Sequence, residues 1–191
     1  MRIIAGEFKG HPLKAPKGDA TRPTVDRVRE SLMSSINSML GGFDGCVVLD
    51  LFAGSGALGL EALSRGAESA CFCEKSQPAL AALAHNVSLV GKTRARIVRG
   101  DVTRRLPHCA GKPFNLVFLD PPYAMDAEEL AGLLVRLDEA GSLAKGALIA
   151  YEHDTRQDPL DSGAFASLEL GHVARKKYGA TIIDLLQMGE Q

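Results

Sequence analysis

A regular alternation of short apolar runs and amphipathic segments fills the middle of the chain and restricts it to few folds. Runs typical of buried strands are predicted at 46–51, 69–74, 95–98, 114–119 and 147–151. Segments with helical periodicity separate them at 57–65, 76–91 and 126–138. Repeated units of one strand and one helix form a mostly parallel sheet with helices on both faces. The sequence therefore predicts an α/β protein with a Rossmann-like core over residues 46–191.

The C-terminal part of the chain departs from this alternation. Residues 165–170 and 181–186 are predicted as two strands, joined by a connection over 171–180 that has no helical pattern. Two consecutive strands without an intervening helix pair in an antiparallel manner. We therefore expect an antiparallel edge on an otherwise parallel sheet.

The N-terminal part also has a character of its own. The glycines and prolines of residues 1–24 favour a small β-hairpin or extended arm, and residues 25–40 carry apolar side chains at helical spacing. Residues 1–30 hold seven Lys and Arg against four Asp and Glu, whereas the whole chain has a net charge of −1. A basic arm of this kind suits contact with phosphates, although a solvated arm without a partner is the alternative.

Composition and length exclude several classes of protein. A chain of 191 residues with 46% hydrophobic and 24% charged residues is typical of one soluble domain. It contains no apolar run of membrane-spanning length and no signal-peptide pattern, so that a cytoplasmic protein is expected, with a monomer as the default. The four cysteines and five histidines show no metal-ligand spacing, and no metal site is predicted.

A glycine-rich loop follows the first predicted strand. Gly54, Gly56 and Gly59 have the spacing of a dinucleotide-binding fingerprint, and Glu74 follows about twenty residues later. A nicotinamide-dependent dehydrogenase is therefore one candidate. Asp50 argues against it, because its negative charge would lie close to a bound pyrophosphate. A carboxylate at this position suits the ammonium or sulfonium end of S-adenosylmethionine instead.

Two further strand ends carry acids that could bind such a cofactor. Glu74 ends the second strand and could accept both ribose hydroxyls, unless it is only a surface acid at a strand end. Asp101 follows the third strand and could accept from the adenine amino group, with Val102 packed on the ring. The alternative for Asp101 is a helix cap for residues 103–106.

The fourth predicted strand ends in Asp120, Pro121, Pro122 and Tyr123. The prolines stiffen the turn and remove two backbone donors, which leaves a carboxylate, free carbonyls and an aromatic ring. This group suits a flat molecule with N–H donors, such as the amino edge of a nucleobase, although a rigid turn with a surface Tyr is the alternative. A base stacked inside a helix cannot reach such a crevice, so that the substrate must be unpaired or flipped out.

Five stretches together carry a resemblance to a known family. They are residues 1–6, 22–31, 50–62, 120–123 and 177–181. With them the chain resembles the class I S-adenosylmethionine-dependent methyltransferases, and more closely the bacterial 16S ribosomal RNA guanine-N2 methyltransferase family. Val25 stands where that family usually has a second Thr after Arg-Pro-Thr, and Cys71 and Cys73 occupy its usual valine or isoleucine run.

The resemblance implies a function and a set of site residues. Residues 120–123 would hold a guanine, and the N-terminal arm would contact 16S ribosomal RNA or the small ribosomal subunit. The S-adenosylmethionine site would consist of Asp50, Ala53, Gly54, Ser55, Gly56, Glu74, Lys75, Asp101 and Val102.

Two other functions stay open at this point. Asp-Pro-Pro-Tyr also fits the amino group of adenine, so that an adenine-N6 DNA methyltransferase is possible, although no separate DNA-recognition domain is visible. The third possibility is a non-catalytic RNA-binding assembly factor that keeps the fold. Arg175, Lys176 and Lys177 could extend an RNA-binding surface, with a solvated face as the alternative.

Overall fold

The computed structural model describes residues 1–16, 26–90, 92–108, 111–122, 125–155, 160 and 163–189. The helices are α1 (Asp26–Leu40), α2 (Ala57–Ser64), α3 (Gln77–Leu89) and α4 (Ala127–Glu139). The strands are β1 (Val47–Asp50), β2 (Ser69–Glu74), β3 (Ala95–Arg99), β4 (Phe114–Leu119), β5 (Leu143–Asp154), β6 (Leu170–Tyr178) and β7 (Thr181–Met188).

The seven strands form a single sheet in the order β3-β2-β1-β4-β5-β7-β6. Neighbouring strands from β3 to β5 pair in parallel, and β7 pairs antiparallel with both β5 and β6. The predicted fold class is confirmed, including the antiparallel C-terminal edge. β2 and β3 lie on one side of β1, whereas β4 and β5 lie on its other side, so that the strand order reverses between β1 and β4. Open α/β sheets bind ligands at such a reversal, beyond the carboxyl ends of the strands.

Helices cover both faces of the sheet. On one face α1, α2 and α3 pack in a shared apolar core, in which Ile36, Leu60 and Leu83 are fully buried. On the other face α4 contributes Leu130 and Leu134 to a second core. These leucines recur at a spacing of four, and therefore lie on one side of their helix. Among the described residues, no helix is both long and apolar enough to cross a membrane.

The prediction of a strand at 165–170 is wrong. Residues 163–167 form turns, and Phe165 packs in the core on the α4 face. The strand is β6, which occupies most of the segment predicted as a connection. Its sequence is charged because β6 lies at the edge of the sheet, where one row of side chains faces solvent. The register of β6 against β7 also shifts between His172 and Ala174, which disturbs the alternation that identifies a strand.

The N-terminal residues form the predicted hairpin. Arg2 and Pro12 pair as an antiparallel bridge, and the amide of Ile3 donates to the carbonyl of His11 at 3.0 Å. The helix predicted at 25–40 is α1. Thr24, which precedes this helix and has a side chain that can cap it, lies outside the described residues.

One buried carboxylate on α2 attaches the hairpin and α1 to the rest of the protein. Glu61 is fully buried and accepts from the amides of Ile4 at 2.8 Å and Ala5 at 3.0 Å. It also accepts from Nε of Arg65 at 2.9 Å and lies 3.8 Å from Nε of Arg29, which is fully buried as well. Both carboxylate oxygens are therefore used within the protein.

The tip of the hairpin fits the same helix closely. A Cβ atom on Gly6 would lie 1.8 Å from the carbonyl oxygen of Ser64, so that only glycine is possible there. The amide of Glu7 donates to that oxygen at 2.7 Å, and the hydroxyl of Ser64 donates to the carbonyl of Ala5 at 2.6 Å. Residues 4–8 of the hairpin are therefore fixed along α2.

Replacement of Glu61 by Gln should destabilise the protein strongly. An amide nitrogen cannot accept, and the buried guanidinium of Arg29 keeps only the partly exposed Asp26 as a negative partner. Removal of one member of a buried ion pair typically costs about 3–5 kcal/mol. The free energy of unfolding, measured by urea denaturation, should fall by this amount. Glu139→Gln, at the exposed end of α4, is the matched control and should change it by less than about 0.5 kcal/mol. Equal effects of the two substitutions would contradict a special role for Glu61.

Candidate active site

Three acids lie at the same edge of the sheet because of the register of β1 with its two neighbours. Asp50 pairs with Phe72 of β2 and with Phe118 of β4. Glu74 and Asp120 each follow these partners by two residues. Because the three strands are parallel, all three carboxylates lie at their carboxyl ends, on either side of the position where the strand order reverses.

The loop after β1 offers open backbone at this edge. Gly54 has a φ of +54°, and a Cβ atom there would meet no other atom within 4 Å. Its amide donates to Oε2 of Glu74 at 2.7 Å, and the amide of Ala53 donates to the carbonyl of Cys73 at 2.9 Å. The loop is therefore held against the end of β2 and leaves space above Gly54 for a ligand.

The other two glycines of the motif have different tasks. A Cβ atom on Gly56 would lie 2.5 Å from the side chain of Leu83, and one on Gly59 would lie 2.4 Å from the ring of Phe72. Gly56 precedes α2 with a left-handed φ of +81°. Gly59 therefore permits the close packing of α2 on the sheet, and it does not face the crevice.

Asp50 lies beneath the loop. Only 2% of its surface is exposed, and its Oδ2 accepts from the amide of Gly59 at 3.1 Å. Burial raises the pKa of Asp50 to about 7, and the negative charges of Asp120 and Glu74 add to this increase. A cation bound at this edge would relieve the repulsion among the three acids.

Asp120 lies at the rim and is half-buried. Burial raises its pKa to about 6. The amide of Met125 donates to the carbonyl of Pro122 at 2.9 Å, which closes the turn after β4. The carbonyl of Pro121 accepts no backbone hydrogen bond from the described residues. Tyr123 lies outside the described residues.

Glu74 and Asp101 are both engaged with neighbouring groups. Oε1 of Glu74 accepts from the amides of Lys75 at 2.8 Å and Ser76 at 2.7 Å. Asp101 accepts from the amide and hydroxyl of Thr103, and Nζ of Lys75 lies 3.0 Å from its Oδ2. Hydrogen bonds from Thr103 and Lys75 lower the pKa of Asp101 to about 2. Residues 102–104 form turns, so that the helix considered over 103–106 is absent and Asp101 stabilises a turn instead. Both of its carboxylate oxygens are engaged within the protein.

Val102 is buried in the core on the α4 face, together with Cys71 and Cys73. Both cysteines are unpaired, whereas Cys109 lies outside the described residues. In the part of the chain that the structure describes, no group of three His, Cys, Asp or Glu side chains could hold a metal ion. Cys73 packs as a small apolar residue, whereas Sγ of Cys71 accepts from Nη2 of Arg96 at 3.4 Å.

The sequence did not single out Asn86, although it joins the arm to the glycine loop. This residue of α3 is fully buried. Its Oδ1 accepts from the amide of Lys14 at 2.8 Å, and its Nδ2 donates to the carbonyls of Lys14 and Ser55, both at 2.9 Å. The hydroxyl of Ser55 in turn contacts the sulfur of Met1 at 3.9 Å. The sequence did carry one signal for this role, a polar amide side chain on α3 directly before the buried, apolar Val87.

The fold and the acidic crevice define a class I methyltransferase. Among solved structures, the "Putative methyltransferase yhhF" from Escherichia coli superposes with a TM-score of 0.80 and 35% identity, covering 100% of this chain and 99% of that one. Strand order, the open glycine loop and an acid after β2 are the features expected for this class.

The sequence comparisons define the family. Residues 1–187 match the family described as "Conserved hypothetical protein 95". The "Putative rRNA methyltransferase YlbH" of Bacillus subtilis is 43% identical over 81% of this chain and 83% of its own length. "Ribosomal RNA small subunit methyltransferase D" of Escherichia coli is 39% identical over 81% of this chain and 75% of its own length. The chain belongs to this family of methyltransferases.

Replacement of Asp50 by Asn should change how stability depends on pH. Because the folded state raises the pKa of this carboxyl to about 7, it binds the proton more tightly than the unfolded state does. Wild-type stability therefore contains a contribution that is lost as pH rises from about 4 to about 7, at about 1.4 kcal/mol per pKa unit. Urea denaturation at pH 5 and pH 8 should show the variant gaining relative to wild type at the higher pH.

The matched control is Asp138→Asn on the exposed side of α4. Its stability difference from wild type should be the same at both pH values. A pH-independent difference for Asp50→Asn would mean that burial does not raise the pKa of this group.

Proposed function

We propose that the protein transfers a methyl group from S-adenosylmethionine to the exocyclic N2 of a guanine in 16S ribosomal RNA of the small ribosomal subunit. The observation that carries this proposal is the position of Asp120 at the same sheet edge as the open Gly54 loop. Two small ligands can therefore meet there. The names of the relatives support small-subunit ribosomal RNA as the substrate.

The residues of the crevice fit the cofactor. The space above Gly54 admits a ligand next to backbone, and Glu74 can exchange its backbone partners for ribose hydroxyls. Asp50 and Asp120 supply negative charge for a cationic group, and their raised pKa values indicate that such a charge is missing without a ligand. When bound, S-adenosylmethionine supplies an already activated methyl group, so that the protein needs no metal or covalent intermediate for this transfer.

Asp120 and Pro121 would act on the acceptor nitrogen. The lone pair of a guanine amine is delocalised into the ring, and the nitrogen is a poor nucleophile. If the Asp120 carboxylate and the Pro121 carbonyl each accept one N–H, they fix the orientation of the amine and favour tetrahedral geometry at nitrogen. Correct orientation of two reactants can supply roughly 7–11 kcal/mol. The carboxylate also stabilises the positive charge that develops on nitrogen.

The pKa of Asp120 gives this residue a second task. A carboxyl with a pKa of about 6 is mostly ionised at neutral pH and can accept the proton that the amine loses. Tyr123 would stack on the extruded base, a contact worth about 1–3 kcal/mol. A base inside a duplex cannot reach the crevice, and the target guanine must therefore be unpaired or flipped out.

One assay separates this proposal from its alternatives. Purified protein is given labelled S-adenosylmethionine with small ribosomal subunits, naked ribosomal RNA or duplex DNA, and the product is digested to nucleosides. We expect N2-methylguanosine from one of the RNA substrates. N6-methyladenine would instead indicate a DNA methyltransferase, and absence of label from all three would indicate a non-catalytic assembly factor.

Replacement of Asp120 by Asn should separate catalysis from cofactor binding. The neutral amide cannot take up the proton or stabilise the positive charge that develops on nitrogen, and loss of such a stabilising group costs about 100-fold or more in kcat. The affinity for S-adenosylmethionine, measured by calorimetry, should stay within a few-fold. The control is again Asp138→Asn, which should leave both quantities unchanged. Parallel loss of cofactor affinity and activity would place Asp120 in the cofactor pocket.

The rate of the wild-type enzyme should also depend on the charge of Asp120. Only the ionised carboxylate accepts hydrogen bonds from the amine through both oxygens, so that the rate should fall as pH drops below about 6. Single-turnover rates between about pH 5 and about pH 8, measured at saturating cofactor and RNA, test this expectation. A rate that stays constant through pH 6 would contradict the proposed role of the carboxylate.

A further inference from the structure

The edge strand β6 is aligned with the active-site turn through a continuous row of paired residues. Leu119 of β4 pairs with Tyr151 of β5, Tyr151 pairs with Asp184 of β7, and Asp184 pairs with Arg175 of β6. Three strand spacings of about 4.8 Å place Arg175 roughly 14 Å from the residue before Asp120. The row therefore connects the proposed catalytic turn to the outer strand of the sheet.

Strand direction brings the next residues of β6 to the catalytic edge. Because β6 is antiparallel to β7, and β7 is antiparallel to β5, β6 runs in the same direction as β4 and β5. Lys177 follows Arg175 by two residues and lies in the row of Ile182 and His153, one step beyond the level of Asp120. Its side chain is exposed at the same edge of the sheet as Asp120, three strands away from it.

This strand is strongly basic. It contains Arg175, Lys176 and Lys177, and β6 has no acidic residue. Lys176 is half-buried and its Nζ lies 3.3 Å from the hydroxyl of Ser31 on α1. Lys177 forms no ion pair with the described residues. We call residues 172–178 the basic edge.

A buried carboxylate fixes the position of the basic edge from inside the protein. Asp184 is fully buried and accepts from Arg175 through two bonds, Nε to Oδ1 at 2.7 Å and Nη2 to Oδ2 at 2.9 Å. Nε2 of His153 and Nε2 of His172 also lie within 2.9 Å of its oxygens. Although burial alone would raise the pKa of Asp184, the hydrogen bonds from His153, Arg175 and His172 hold this pKa well below its usual range.

The consequence is a rigid surface whose uncompensated charge is positive. The carboxylate of Asp184 is turned inward and is already matched by the Arg175 guanidinium. Lys176 points to the opposite face of the strand, toward Ser31, so that Lys177 is the exposed lysine on the face of Arg175. An exposed cation held on a rigid strand is complementary to a negatively charged phosphate of a nucleic acid backbone.

We infer that the basic edge binds the phosphate backbone of the RNA substrate close to the nucleotide whose base enters the crevice at Asp120. This inference rests on the proposed function and adds to it the surface that holds the substrate. Phosphate contacts of this kind fix the register of the nucleic acid and carry no sequence information themselves. The basic edge would thus position the RNA strand, while the turn at Asp120 selects the amino group of the base.

The test compares Lys177→Gln with Lys145→Gln. Lys145 is also an exposed lysine of this sheet, but it lies near the beginning of β5, at the opposite edge from the crevice. Filter binding of naked 16S ribosomal RNA at about 50–200 mM salt measures the affinity and its salt dependence. We expect Lys177→Gln to weaken binding about fivefold and to reduce the slope of log affinity against log salt by about 0.7, the value for one lost phosphate contact on single-stranded RNA.

Kinetics give a second readout. Lys177→Gln should raise KM for the RNA by a similar factor, with kcat and the affinity for S-adenosylmethionine unchanged, whereas Lys145→Gln should change none of them. Lys177→Glu should produce a larger loss of affinity than Lys177→Gln. Identical behaviour of the Lys177 and Lys145 variants, or a fall in kcat at constant KM, would overturn the inference.

Two further outcomes distinguish the RNA contact from a contact with a ribosomal protein and from the proposed function. Weaker binding to small ribosomal subunits with unchanged binding to naked RNA would assign the basic edge to a ribosomal protein and overturn the RNA contact. If wild-type protein forms no N2-methylguanosine but the Lys177 variants still lose RNA affinity, the proposed function fails while the RNA-binding surface stands.

Discussion

The parallel pairing of β1 with both β2 and β4 is the constraint on which the site depends. It aligns Asp50 with Phe72 and Phe118, and thereby brings Glu74 and Asp120 to the same edge from opposite sides. No local feature of the chain could do this, because Asp50 and Asp120 are seventy residues apart in sequence. Backbone hydrogen bonds between buried strands are difficult to rearrange, since each unpaired buried group costs roughly 1–3 kcal/mol. The crevice is therefore built on the most rigid part of the protein.

That rigidity has an electrostatic cost. Burial raises the pKa of Asp50 to about 7 and that of Asp120 to about 6, and the two groups also repel each other. Carboxylates in such surroundings favour any process that brings positive charge to them. A cationic cofactor and an amine that becomes positive during transfer both do so. The same feature that weakens the unliganded protein would thus contribute to binding and to catalysis under the proposed function.

The N-terminal hairpin belongs to this rigid framework as well. Glu61 of α2 accepts from the amides of Ile4 and Ala5, and Asn86 of α3 joins Lys14 to the carbonyl of Ser55 in the glycine loop. Lys14 of the arm is therefore presented from a fixed position. The basic edge on β6 has a comparable support in Asp184, which holds Arg175 through two hydrogen bonds. In both places a buried acid or amide orients surface cations, a separation of tasks that suits recognition of a charged backbone.

Local pattern in the sequence determined the class of fold, the glycine loop and the strand ends that carry Glu74 and Asp120, because buried strands and amphipathic helices leave a period that is readable within ten residues. Tertiary structure alone decided the rest. Strand β6 was missed because an edge strand keeps little of the apolar alternation. The role of Asn86 and the Asp184 cluster depend on partners brought together by the fold. Such contacts join residues distant in the chain, and neither propensity nor spacing records them.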